Sequence, residues 1–565
     1  RTLGNLLVPG FLEMLNEIAR ELEQPNIAKA PEDERIRLLL DALGPAKALV
    51  ILDNLESIPK SDRDQLFTFV KRLPQGCKAI LTSRRRIGSG SELVQLDILG
   101  QDAALATLAD LAKHNKLLAK TNEAERIVLW KQTGGNPLLL RWVAGQLGRG
   151  SCRTFTDAIE FLRTCPEGND PLDFIFGDLS NEFTPDEERV LVALTYFALP
   201  TKVEHVAAVA GLDGKSVETA LDTLANRSLV VPDQEEKQYA LVPMVAEFLR
   251  KHRPEVVRKI GTQLQERAYE LVIKNGYKMH ERFPALDASW PIVASALPLF
   301  LEGPNPRLQV VCEALQLFLN FTGRWDEWLS LSQQAERKAI AVNDYGHAGW
   351  CAQNAGCVHH LRKQGAAVIA CADRATTHWQ AAKAGAWEFS VAIRLRGMGH
   401  QINGDYDAAI TAYSQSLEAR RTLWKESAEI AAVLSDLADV EKLSGDFVSA
   451  ERDYLQALRV ARAVNDLEGE AIFTSNLACV AVDQMDWPKA ERLAREGLAF
   501  SEKIRRQELI GGNCCLLATT LIQQGKVADA VPPARRAVEV FTRLGSHRLD
   551  GARAVLADAI QGFDE

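Results

Sequence analysis

The chain has 565 residues, enough for roughly three to five domains. Its 47% hydrophobic and 25% charged content is that of an ordinary globular protein, and no run approaches the 18 apolar residues of a membrane-spanning helix. A net charge of −9 and a pI near 5.8 argue against broad binding to nucleic acid or anionic membrane, which needs a basic face.

The first residue is Arg1 rather than Met, and no charged-then-apolar leader follows it. The chain therefore reads as a fragment of a longer cytoplasmic protein. Residues 10–23, GFLEMLNEIARELE, place Phe11, Met14, Leu15, Ile18 and Leu22 on one helical face. A second helix, DERIRLLLDALG, stops at Gly44-Pro45. The run ALVILDNLE then reads as a buried parallel strand from Ala48 to Leu52 that delivers Asp53. KAILTSRR, from Lys78, reads as a second strand, and ELVQLDIL, from Glu92, as a third. Helices between short apolar runs indicate a parallel sheet covered on both faces.

After Gly100 the pattern turns helical, and GGNPLLLRWVAGQLG opens a helix at Pro137, where the missing N–H is harmless. Between 171 and 253, three helices precede VVPDQEEKQYALVP, a short two-stranded wing, and together they predict a winged helix. Related segments beginning at Gly323, Gly365, Gly404, Gly445, Met485 and Gly525 recur about every 40 residues, the period of a helical solenoid. Small residues at Ala409, Ala450, Ala490 and Ala530 let paired helices approach. Tyr406, Phe447 and Trp487 fill the gap beside each turn. The ten cysteines show no CxxC pair and no zinc spacing, and they read as reduced, buried apolar residues. His359-His360 has no carboxylate or Cys at ligand spacing and reads as a surface pair.

Strand-plus-Asp, strand-plus-TSR, a Gly-Asn-Pro helix, a winged helix and repeats, in that order, resemble the STAND class of signalling ATPases. Within it they resemble the NB-ARC type with a tetratricopeptide-repeat sensor. The resemblance covers essentially the whole chain. It implies a multidomain, mostly α fold. Residues 1–98 are part of an α/β P-loop NTPase core, 99–170 a helical domain and 171–253 a winged helix. Residues 254–305 are a helical linker and 306–565 a tetratricopeptide-repeat α-solenoid.

The resemblance also implies ATP or ADP with Mg²⁺ as cofactor. Asp53 matches the Walker B acid that holds Mg²⁺ at the carboxyl end of a strand. Asn54 departs from the second acid of many relatives, and an amide cannot take a proton from water. Glu56 would substitute through a water, and the outcome is slow hydrolysis, suited to a switch. Thr82 or Ser83 would bond a phosphate-bound water, Arg84 would reach the terminal phosphate, and Pro137 would pack on adenine. Val242 stands where relatives carry a His that touches the β-phosphate of ADP, so the resemblance breaks there. Taken alone, ALVILD also fits an ordinary strand capped by Asp, Arg84 to Arg86 a solvated loop, and Gly-Asn-Pro a plain helix start.

The Walker A pattern G-x-x-x-x-G-K-[ST] is absent. GLDGKS at 211–216 has Val209 where the first Gly is needed, and it lies in the winged helix. The expectation is that the phosphate loop precedes Arg1, and that this chain alone binds nucleotide weakly or not at all.

The function expected is a ligand-operated switch. A protein or peptide would bind the concave face of the repeats, where Arg394, Ser435, Asp439 and Lys442 are candidates. Nucleotide exchange, homo-oligomerisation and clustering of an upstream effector would follow, as in bacterial antiviral defence or transcription control. One alternative is a STAND-class transcription regulator. Its winged helix is a poor DNA reader, since SVETALDTLANRSLV sets Glu218 and Asp222 against one Arg227. The other is a repeat scaffold with a degenerate nucleotide site.

Overall fold

The computed structural model describes residues 10–22, 24–52, 55, 60–83, 94, 98–113, 115–148, 152–163, 183–227, 229–233, 236–544, 546 and 548–564. They form two compact units. The first comprises residues 1–11, 46–270 and 289–299. The second comprises 12–45, 271–288 and 300–565.

In chain order, α1 (Gly10–Glu21) and α2 (Glu32–Ala46) precede β1 (Leu49–Leu52), α3 (Lys60–Lys71) and β2 (Lys78–Leu81). Helices α4 (Gln101–Leu111), α5 (Glu123–Gln132), α6 (Pro137–Gln146) and α7 (Phe155–Arg163) follow. Next come α8 (Pro185–Leu194), β3 (Thr201–Lys202), α9 (Val203–Ala210), α10 (Gly214–Asn226), β4 (Val230–Asp233), β5 (Gln238–Leu241) and α11 (Pro243–His252). Helices α12 (Pro254–Asn275), α13 (Phe283–Ala288) and α14 (Trp290–Glu302) lead to six helix pairs. The pairs are α15 (Asn305–Phe321) with α16 (Trp325–Ala341), α17 (Tyr345–Leu361) with α18 (Gly365–Ala381), and α19 (Ala386–Ile402) with α20 (Tyr406–Arg421). They continue as α21 (Ala428–Leu443) with α22 (Phe447–Ala463), α23 (Leu467–Asp483) with α24 (Trp487–Lys503), and α25 (Gln507–Gln523) with α26 (Val527–Leu544). Helix α27 (Leu549–Asp564) closes the series.

In the first unit, β1 and β2 pair in parallel, Leu49 opposite Lys78 and Leu52 opposite Leu81. Val50 and Leu52 are buried, whereas Leu49, Ile51 and Ile80 are 55%, 61% and 50% exposed. Parallel strands normally bury both faces, so among the described residues this sheet presents an open apolar face. The strand expected from Glu92 lies outside the described residues. The winged helix forms as expected, with a sheet in the order β3-β5-β4, antiparallel throughout. Its helices start where the sequence supplies caps. Thr184 and Glu187 close a capping box on α8, Asp213 caps α10, and α9 ends at left-handed Gly211.

In the second unit, the tight turn inside each pair carries one left-handed residue: Gly323, Lys363, Gly404, Gly445, Met485 or Gly525. These recur every 40 or 41 residues, more evenly than the sequence pattern suggested. The correction is at the second turn, where Lys363 takes the left-handed place expected of Gly365. Gly365 instead opens α18, where an added Cβ would sit 2.6 Å from the Gly399 carbonyl oxygen. In three of the turns an aspartate then caps the next helix: Asp405, Asp446 and Asp486 accept from Ala408, Ser449 and Lys489 N–H. Ala409, Ala450, Ala490 and Ala530 are fully buried, the close approach that small residues permit. Phe321, at the end of the first α15, packs against Ile510, Phe541 and Leu544 of α25 and α26. The two ends of the solenoid therefore meet.

Candidate functional site

The nucleotide-side candidates are built on the carboxyl ends of β1 and β2. Thr82 N–H donates to the Leu52 carbonyl at 2.9 Å, and Leu55 N–H donates to the Thr82 carbonyl at 3.1 Å. The backbone of Thr82 is thus fastened on both sides of the Asp53-Asn54 step. Asp53, Asn54, Glu56 and Arg84 lie outside the described residues. Thr82 is exposed and Ser83 half-buried. Among the described residues no group of three or more His, Cys, Asp or Glu is placed to hold a metal ion.

Pro137 is exposed at the first turn of α6. Asn136 caps that helix, its Oδ1 accepting from Leu138 N–H at 2.9 Å and Leu139 N–H at 3.2 Å. Gly134 and Gly135 are both left-handed. Leu99 N–H donates to the Gly135 carbonyl at 2.8 Å, and Trp130 Nε1 donates to the Leu99 carbonyl at 2.8 Å. The Gly-Asn-Pro turn is thereby tied to the chain entering α4. Val242 is the residue before α11 and makes no side-chain cap.

The repeat candidates lie on successive first helices. Arg394 on α19 pairs bidentately with Asp436 on α21, with Nη2 to Oδ1 at 3.1 Å. Ser435 accepts from Asn476 Nδ2 on α23 at 3.1 Å, and Lys442 lies 3.5 Å from Asp483. Asp439 accepts from the Tyr454 hydroxyl of α22. Each of the four is thus engaged by another helix, Arg394, Ser435 and Lys442 by a neighbouring first helix and Asp439 by the second helix of its own pair. Burial, with the Tyr454 bond opposing it and Asp436 adding to it, raises the Asp439 carboxyl. Burial and then Asp439 push the Tyr454 hydroxyl far up. Burial drives His360 down, so its imidazole is neutral at pH 7. His359 is half-buried and shares a bond of 2.6 Å with Gln364, so the histidine pair is not the surface pair expected. Burial likewise raises the thiols of Cys351, to about 12, and Cys357, to about 11, which fits inert core cysteines.

The sequence reading missed the partner residues Asp436, Asn476 and Tyr454. Asp436 adjoins Ser435 in the sequence, whereas Asn476 and Tyr454 belong to other helices and gave no local signal. It also missed a buried charge cluster around Asp326, whose members Asn16, Arg35 and Arg362 come from distant segments.

The described chain is mostly helical, with a parallel strand pair, a three-stranded antiparallel sheet among helices, and a solenoid of helix pairs repeating about every 40 residues. The tetratricopeptide repeat family model matches residues 388–463 and 429–503, which places those repeats in the C-terminal solenoid. Regulatory protein AfsR of Streptomyces griseus is 24% identical over 543 residues, covering 94% of this chain and 50% of that protein. Transcription activator GutR of Bacillus subtilis is 22% identical over 268 residues, 43% of this chain and 32% of that protein. A STAND protein with a tetratricopeptide-repeat sensor from Pyrococcus horikoshii aligns over 98% of this chain and 86% of that one, at 15% identity and a TM-score of 0.39. The chain spans half or less of the length of these curated relatives. Among the described residues no single helix is long and apolar enough to cross a membrane.

Proposed function

We propose that this chain is the switch-and-sensor part of a signal-transducing ATPase whose repeats take up a protein or peptide. The observation that carries the reading is the backbone clasp of Thr82 on Leu52 and Leu55 at the end of a parallel strand pair. That clasp joins Leu52 and Leu55, the described residues that flank Asp53 in the sequence, to the end of β2, and open α/β sheets bind ligands at the carboxyl ends of their strands. Asp53 would hold Mg²⁺, Thr82 and Ser83 would face the phosphates with Arg84, and exposed Pro137 would offer an apolar surface to adenine. Bound Mg²⁺ would neutralise phosphate charge. These residues supply no phosphate cradle, so nucleotide affinity depends on a Gly-Lys-Ser/Thr loop from outside this sequence. With Asn54 in place of an acid, hydrolysis is slow, and nucleotide exchange coupled to homo-oligomerisation would set the output. A trigger works here only by binding one state more tightly than the other.

One curated relative is named a regulatory protein and the other a transcription activator, which favours transcription control over antiviral defence as the output. In that reading the DNA reader is a segment other than α10.

The test uses the native protein at its full length. Its mass by light scattering should differ between ADP and a non-hydrolysable ATP analogue, and Asp53→Ala should abolish the difference. Identical masses in every nucleotide state would leave only a repeat scaffold.

A further inference from the structure

The second unit contains a segment far from the repeats in sequence yet fastened to both of their ends. Asp326, in the first turn of α16, is 7% exposed. It accepts from Arg35 Nη1 at 2.7 Å and Nη2 at 3.3 Å, from Asn16 Nδ2 at 2.8 Å and from Arg362 Nη2 at 2.5 Å. Arg35 is 1% exposed, and its guanidinium also donates to Asn16 Oδ1 at 2.8 Å and to the Ala30 carbonyl at 2.9 Å. Burial opposes the charge on Asp326, and the guanidiniums of Arg362 and Arg35 overcome it, holding the carboxyl below the usual range. At the other end, Asn26 Nδ2 donates to Asp550 in α27, and Lys29 is drawn to the same carboxylate.

We propose that residues 12–45 are a releasable strap across the two ends of the solenoid, keyed to Asp326 in the first pair and to Asp550 in the last helix. This deepens the sensor reading above and rests on it for its purpose, not for its existence. The chemistry at Asp326 suits a joint that opens. Two guanidiniums meet one carboxylate, so the Asp326–Arg362 pair stays neutral within the repeats when Arg35 leaves. Arg35 regains its hydration in water, and release strands no charge behind it. Release also uncovers the buried Met14, Leu15, Leu39 and Leu43, so the apolar contacts set how rarely the joint opens and the charge cluster sets where it closes. Helix α2 continues through left-handed Lys47 into β1. The strap is therefore covalently continuous with the strand that delivers Asp53. A ligand that alters the curvature of the repeats changes the distance the strap must span, and so biases its release.

Amide hydrogen exchange on this chain tests the strap without nucleotide, so its failure is distinct from a failure of the ATPase reading. Arg35→Leu should cut protection of residues 10–46 by roughly a hundredfold while leaving α17 to α26 unchanged. Asn26→Ala and Asp550→Ala should each loosen the same amides by a smaller factor. Arg35→Lys, which keeps the charge and loses the planar fork, should fall between wild type and Arg35→Leu. Unchanged protection in Arg35→Leu overturns the proposal. So does an equal loss across all repeats in both Arg35 variants, because the segment is then ordinary core.

Discussion

Glu441, near the end of α21, shows how a repeat position can acquire a pH dependence. It is 7% exposed, with Asp453 of α22 4% exposed beside it. Arg452 bridges the two, with Nε 2.7 Å from Asp453 and Nη2 3.4 Å from Glu441. Burial first, and then the Asp453 charge, push the Glu441 carboxyl up to about 7. A carboxyl raised in the folded state favours folding when protonated. Its contribution is present in full below the ordinary value of 4.5 and is lost as pH rises through about 7. Glu441→Gln should therefore be more stable than wild type at pH 8, by about 1–3 kcal/mol, and nearly equal to it at pH 4.5. Urea unfolding at the two pH values reads this directly, and an identical difference at both would refute the assignment. The acid at 441 was visible in the sequence. Its partner was not, because Asp453 and Arg452 come to it from the other helix of the pair.

At the scale of elements, local chemistry was legible wherever it repeated or capped. The 40-residue period lies in contiguous residues, so pattern alone located it; the capping boxes at Asn122 and Thr184 are just as local but were not singled out. The Gly365 turn was misplaced because two demands on glycine look alike in a sequence. One is a positive φ, which Lys363 meets at some strain. The other is room for a neighbouring backbone, which Gly365 meets against Gly399. Gly135 answers both at once. Its φ is +69°, and an added Cβ would lie 2.7 Å from the Leu99 carbonyl oxygen, the atom that also accepts from Trp130. Gly135→Ala should destabilise the first unit by about 2–4 kcal/mol, more than the ~1 kcal/mol expected for removing the Asn136 cap. Denaturant melts of Gly135→Ala and Asn136→Ala would rank the two. The reverse order would mean that the loop relaxes freely and does not position Pro137.

At the scale of the molecule, the mostly helical make-up and the C-terminal repeats could be read because their signals lie in contiguous residues. The assignment of residues 12–45 to the unit that holds the repeats could not be read, since it rests on side chains such as Arg35 and Asp326 that are 291 positions apart. The charge distribution, by contrast, is a whole-chain property that sequence states well, and it decides a question about partners. On α10, the candidate recognition helix, Glu218 and Asp222 are exposed, whereas Arg227 is only 9% exposed. Arg227 is withdrawn, and the exposed Lys215 at the start of α10 is outweighed by Glu218 and Asp222. Across the whole chain the net charge of −9 adds no compensating attraction. Release of counterions from DNA, the main source of sequence-independent affinity, is therefore small at this surface. The chain should show no binding to a labelled duplex tighter than about 10 μM at 0.15 M salt, against the ~1–100 μM common for non-specific binders. Fluorescence anisotropy at two salt concentrations checks this. Binding that weakens steeply with salt would show that a basic surface elsewhere in the chain engages phosphates. Loss of that binding on Lys215→Glu would return the contact to α10 itself.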